Sequence, residues 1–271
     1  MTLARIPLAL AVTALVVAEH GPSAVPPDSG PRLASEAREI LRADYRGDRA
    51  ELLRRAEALA AAPGDPIALA RYWAGFAWWR RGMNGFSETP RPADVASDFG
   101  RCAGEERAAL RLDPALDEAG AALAGCLVGM AFSLPDGEGR AALFAESNEI
   151  LRSLEPRAEG NPRILWMLGG RLMAPPAQGG DLARAAETFR RGLLAARRES
   201  LGPPRGPALP AWGAPENLMS LAFLHSIGPS PDRDVARAYA DGAMAMVPDW
   251  HYVRDVLVPR IESLPAPARR P

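Results

Sequence analysis

The chain has 271 residues, enough for a substantial buried core, and its formal net charge of −1 gives no basic face for a nucleic acid. Alanine (52 residues) and leucine (32) dominate, while isoleucine (7) and threonine (4) are scarce, a balance that favours helices and argues against sheets. Every basic side chain is arginine; there is no lysine.

Residues 1–24 read as an export signal. Arg5 and the chain's amine supply positive charge, Ile6 to Ala18 is an apolar run too short to span a bilayer, and cleavage is expected after Ala18 or Ala24. No cysteine lies near either site, which argues against lipid attachment. The expected localisation is periplasmic or secreted. A proline-rich leader, 25–32, is expected to precede a helical domain at 33–264, with a disordered tail at 265–271.

Stops and apolar periodicity predict helices at 33–46, 48–62, 66–82, 92–112, 115–133, 138–154, 162–173, 181–199, 215–227, 232–247 and 250–262. The clearest regularity is a recurring start. Asp65-Pro66, Asp113-Pro114 and Asn161-Pro162 stand 48 residues apart, each placing a capping side chain before a proline at the first helical position. Ser230-Pro231 repeats the chemistry off the period. Leu69 and Tyr72 recur as Leu165 and Leu168, and again as Leu218 and Leu221. Small residues follow at Gly169 and Ala222, where a neighbouring helix can come close. The Asp113 copy keeps a small residue at Ala121 but carries Asp117 and Gly120 in place of the apolar pair. The longest irregular stretch, 200–213, is rich in proline and glycine and is expected to be the most mobile.

These features resemble the tetratricopeptide repeat family. Its second-helix pattern of small residues and a closing proline is met by Ala236, Ala240, Ala243 and Pro248. It is met in part by Cys102, Ala109 and Pro114, where Glu106 departs. The resemblance covers roughly 33–249 and is loose, because the usual repeat is about 34 residues long. It implies an all-α, right-handed α-solenoid of about five antiparallel hairpins with a C-terminal cap helix, each hairpin burying its apolar face on the next.

Cys102 and Cys126 sit 12 residues either side of Pro114, read as the turn between two antiparallel helices, so they fall at the same height. A disulfide and two buried thiols both fit. The aromatic segment Tyr72-Trp73-Ala-Gly-Phe76-Ala-Trp78-Trp79-Arg80-Arg81 reads either as core or as the wall of a groove, with Tyr72, Trp73, Arg80 and Asn84 holding a peptide or an anionic ligand. Trp166, Trp212 and His251 complete the candidate binding set. No metal, cofactor or catalytic motif is found: no Gly-x-Ser-x-Gly, no His-Glu-x-x-His, no Cys-x-x-Cys and no phosphate-cradling glycine loop. The expectation is a non-catalytic, exported scaffold that binds a protein or peptide on its concave surface, without nucleic acid and without a stable membrane span once the signal is removed. The alternative is a periplasmic small-ligand-binding subunit associated with a solute transporter.

Overall fold

The computed structural model describes residues 29–62, 67–227 and 230–265. Among them the fold is all-helical, with no strand. The predicted signal, residues 25–28 of the leader, Asp65-Pro66 and the tail beyond residue 265 lie outside the described residues.

The helices are α1 (Ser29–Tyr45), α2 (Arg49–Ala60), α3 (Ala68–Phe86), α4 (Val95–Leu112), α5 (Asp117–Ser133) and α6 (Glu138–Leu154). A 3-10 turn over Glu155–Gly160 leads to α7 (Pro162–Leu172), α8 (Leu182–Leu201), α9 (Ala214–Ile227) and α10 (Arg233–Met246). A π-helical turn, Tyr252–Leu257, then runs into α11 (Val258–Glu262).

Capping chemistry sets several starts. Asn161 accepts from the amides of Arg163 (3.0 Å) and Ile164 (3.5 Å), so α7 begins at Pro162 as its start signal predicts. Asp113 instead bonds the amide of Ala115 (3.0 Å) and folds a turn, which delays α5 to Asp117. Asp232 rather than Ser230 caps α10, accepting from Val235 at 3.1 Å. α1 starts within the expected leader, at Ser29; Pro31 fits there because first-turn amides need no helical partner.

α1 packs on α2, α2 on α3, and so on in chain order through α6, then α7 on α8, α8 on α9 and α9 on α10. The odd-numbered helices also touch one another: α1 with α3, α3 with α5, α5 with α7, and α7 with α9. They form a continuous row backed by the even-numbered helices, an arrangement compatible with a helical repeat. Gly169 shows why small residues matter here, because a Cβ at that position would come within 2.4 Å of the Phe189 ring of α8. The first helix also reaches the last elements. Tyr45 donates to Glu216 (2.7 Å) and packs edge-on against Trp250, and Arg46 pairs with Asp249 at 3.5 Å.

Two loop expectations are corrected. α3 runs on to Phe86 because Gly82 and Gly85 admit Phe99 and Val95 of α4, so packing carries the helix through residues that suit a turn. The 202–213 segment is not the free loop its composition predicts: Ala208, Pro210 and Trp212 are buried, and Ala208 and Trp212 belong to the main apolar cluster of α1–α5.

Candidate functional site

The inner row converges on an aromatic box. Tyr72, Trp73, Phe76 and Trp79 project from one broad face of α3, and Trp166 comes from α7. Trp212 enters from the 202–213 segment, its ring centroid 5.4 Å from Phe76, 5.9 Å from Trp79 and 5.6 Å from Trp166. Its indole Nε1 donates to the Tyr72 hydroxyl at 2.7 Å. Trp73 Nε1 donates to the Ala208 carbonyl (2.8 Å), and the half-buried Trp166 donates to Ser220 Oγ (2.8 Å). From sequence Tyr72 and Trp73 read either as core or as the wall of a groove, and Trp212 stands in the candidate binding set. They are at most 1% exposed, because α3 is covered by helices on either side and by this strap of chain.

Two ionic clusters flank the box. In the first, Arg80 Nε donates to Asp44 at 2.8 Å, and its guanidinium lies 5.7–5.9 Å from the centroids of Phe76, Trp79 and Trp166. Asn84 donates to the backbone and side chain of Asp44 at 3.1 and 3.2 Å. Arg80 is thus a buried internal partner and not a surface clamp for an anion. Burial pushes the carboxyls of Asp44 and Glu216 upward, with the Arg80 charge acting against that rise. Glu216 also accepts from the Gly213 amide (2.6 Å), tying the end of the strap to α9.

The second cluster holds the strap's other parts. Arg163, 2% exposed, donates to Glu199 (2.8 Å) and to the Trp212 carbonyl (3.1 Å), and lies 3.3 Å from Glu118. Arg205, within the strap, bridges Glu199 (2.5 Å) and Glu118 (3.3 Å) and donates to the Pro210 carbonyl at 3.2 Å.

His251 stands apart from the box. It packs against Gly47, pairs with Asp255 at 2.7 Å and is half exposed, so it shares no site with the α3 aromatics. Cys102 and Cys126 form a disulfide between α4 and α5, with Cα atoms 5.9 Å apart. One turn from Cys102, Glu106 is fully buried, and neither carboxylate oxygen has a hydrogen-bond partner. A Cβ on Gly75 of α3 would lie 2.5 Å from its Oε1, so the missing side chain there makes room for the carboxyl. Burial pushes the Glu106 carboxyl well above its ordinary range, and nearby Glu105 adds to the shift.

No protein-family model, curated protein or solved structure matches this chain. The tetratricopeptide resemblance therefore rests on the sequence features and the helix packing alone.

Two surface recesses remain. An open groove of about 560 Å³ runs over Ala60, Ala61 and Gly104, with Arg101 stacked 4.6 Å above Trp78. A cleft of about 140 Å³ between the Glu155–Gly160 turn, α7 and α8 is lined by Arg171, Arg184, Arg191, Glu155 and Glu187. Among the described residues no group of three or more His, Cys, Asp or Glu side chains is placed to hold a metal, and no helix is long and apolar enough to cross a membrane. Sequence reading missed Asp44, Glu216, Arg163 and Glu118 as residues organising this region. Their partners lie far along the chain, such as Asp44 and Arg80, 36 positions apart, so no local motif marks them.

Proposed function

We propose that the chain is an exported, tetratricopeptide-like α-solenoid of antiparallel hairpins that binds a polypeptide along its odd-helix row and performs no catalysis. The observation that carries this reading is the row's present occupant. An irregular segment with a turn at 206–209 already lies against α3, α5 and α7, with the Ala208 and Trp212 carbonyls held by Trp73 and Arg163 and the Trp212 side chain buried as an anchor. Proline-rich peptides are likewise held in aromatic-lined grooves. Export draws its support from the Arg5 and Ile6–Ala18 pattern.

The test is cross-linking of the full chain to polypeptides in the exported fraction, with adducts mapped by mass spectrometry. Cross-links concentrated on α3, α5, α7 and 202–213 are expected; adducts confined to the even-numbered helices would reject the reading. N-terminal sequencing of the exported protein checks the targeting proposal, with a first residue of Glu19 or Val25 expected. A small-ligand subunit is a second reading, favoured by the arginine-lined 140 Å³ cleft. The aromatic box offers it nothing, because Trp212 fills it.

A further inference from the structure

The strap is built like a bound ligand. Within it the Leu209 amide bonds the Gly206 carbonyl (2.9 Å) and Arg205 bonds the Pro210 carbonyl (3.2 Å), and its other bonds are to the walls. Trp73 grips the Ala208 carbonyl at 2.8 Å and Arg163 grips the Trp212 carbonyl at 3.1 Å. Carbonyl recognition of this kind is indifferent to side-chain identity. Four of the strap's twelve residues, Pro203, Pro204, Pro207 and Pro210, bring no amide hydrogen that would need a partner. Selectivity comes from a single deep pocket: the Trp212 indole is enclosed by Phe76, Trp79 and Trp166 and hydrogen-bonded to Tyr72. One central aromatic anchor within a carbonyl-gripping wall is the energetic pattern of peptide recognition.

The strap also has the means to leave. Gly202 to Pro207 is exposed throughout and makes no backbone bond that would hold it down, apart from the Gly206 turn and the last turn of α8. At the other end Gly213, at a φ of +121° that only glycine adopts without strain, is fixed to α9 by Glu216 and Asn217, so the strap can swing only about this point. Between these ends the latch is Arg205, a third exposed, reaching Glu118 and Glu199.

We propose that residues 202–213 are a self-ligand: the groove they fill recognises a proline-containing, turn-forming peptide with a tryptophan anchor, and a partner of that chemistry binds by displacing the strap. This rests on the scaffold reading above and adds to it the class of partner and a built-in competitor. A competitor held in the same chain lowers the apparent affinity for the outside peptide by the fraction of time the groove is open. Weakening the strap must therefore strengthen binding, the opposite of what loss of a purely structural loop would do.

The test uses the full chain and a fluorescent synthetic peptide with the sequence of residues 202–213, alongside the same peptide with its tryptophan replaced by alanine. Trp212→Ala vacates the pocket and leaves its walls. Saturable binding at least about 30-fold tighter than to the unaltered chain is expected for the tryptophan peptide, and none for the alanine peptide. Arg205→Ala releases only the latch and serves if Trp212→Ala fails to fold; binding about 3- to 10-fold tighter than to the unaltered chain is expected. Hydrogen exchange of the Trp212 indole N–H in the unaltered chain supplies an independent reading, with strap opening expected well before global unfolding. A folded Trp212→Ala chain that binds neither peptide, an Arg205→Ala chain with unchanged affinity, or indole exchange only through global unfolding would each overturn the self-ligand. Those results leave the scaffold reading standing on its own cross-link map, whereas adducts on the even helices alone reject the scaffold and leave the peptide pocket intact.

Discussion

Two segments of this chain look alike on paper and behave differently in the fold. Residues 174–180 (Ala-Pro-Pro-Ala-Gln-Gly-Gly) and 202–213 (Gly-Pro-Pro-Arg-Gly-Pro-Ala-Leu-Pro-Ala-Trp-Gly) are both proline- and glycine-rich connectors flanking α8. The first closes on itself. Gln178 bonds back to Pro175 (2.8 Å), Gly179 to Pro176 (2.9 Å) and Asp181 to Leu172 (2.8 Å), and residues 175–179 stay exposed. The second gives the Ala208 and Trp212 carbonyls to side chains of other elements and sends Trp212 into the core. Proline and glycine state only that a segment is not helical. Whether it lies on the surface or becomes part of the interior depends on one large apolar side chain, which 202–213 has and 174–180 lacks.

The difference is sharpest in the tryptophan itself. Replacing Trp212 with alanine removes a fully buried indole and leaves the Tyr72 hydroxyl without its donor, at a cost of about 3–5 kcal/mol in urea or guanidinium unfolding. A loss below about 1 kcal/mol would mean that the strap already spends much of its time off the box.

The pH response separates the two segments next. Glu106 is buried against Gly75 of α3, the helix that carries the strap's aromatic pocket, and neither of its carboxylate oxygens has a hydrogen-bond partner. Burial raises its ionisation well above the ordinary value of 4.5 that it keeps in the unfolded chain. The unfolded state therefore releases the proton first, and stability falls as pH rises from 4.5 toward the raised folded value, by up to about 1.4 kcal/mol per unit. Glu106→Gln removes that slope and stabilises the chain at neutral pH. Asp44 and Glu216 carry shifts of the same sign, so the measurement is the difference between the two chains' unfolding midpoints across pH 4–9. Parallel curves would show that Glu106 ionises in the fold as freely as out of it. Residues 174–180 contain no titratable side chain and have no part in this response.

Helix order was legible because its signals are local. Asn161-Pro162 caps α7 as read, and the predicted helices match those observed except at their ends, between Gly82 and Phe86, and at 250–262, where a π-helical turn precedes a short α11. The site was legible only as composition. Tyr72, Trp73 and Trp212 stand out as large aromatics, yet their sequence cannot tell a rim from a core, because what covers α3 is a segment 135 to 140 residues further on. Glu106 is visible as a break in a small-residue pattern, but its burial depends on Gly75, 31 positions earlier, leaving room for it. Arg80 looks like an anion clamp until Asp44 is brought to it by the packing of α1 on α3.

The smallest effects belong to the self-closed connector, and they invert the lesson of the strap. Gln178 is exposed and contributes only its backbone, so Gln178→Ala should leave stability within about 0.5 kcal/mol of the unaltered chain. Gly180 is different. A Cβ there would meet the carbonyl oxygen of Ala174, which is backbone and cannot swing aside as a flexible side chain does. Gly180→Ala should therefore cost about 1–3 kcal/mol by forcing the 174–180 turn open. It should do so without changing affinity for the strap peptide, since nothing in that turn touches the aromatic box. If Gly180→Ala instead altered peptide binding as much as Arg205→Ala does, the two connectors would be coupled through α8, and the contrast between a turn held by its own backbone and a strap held by its neighbours would no longer stand.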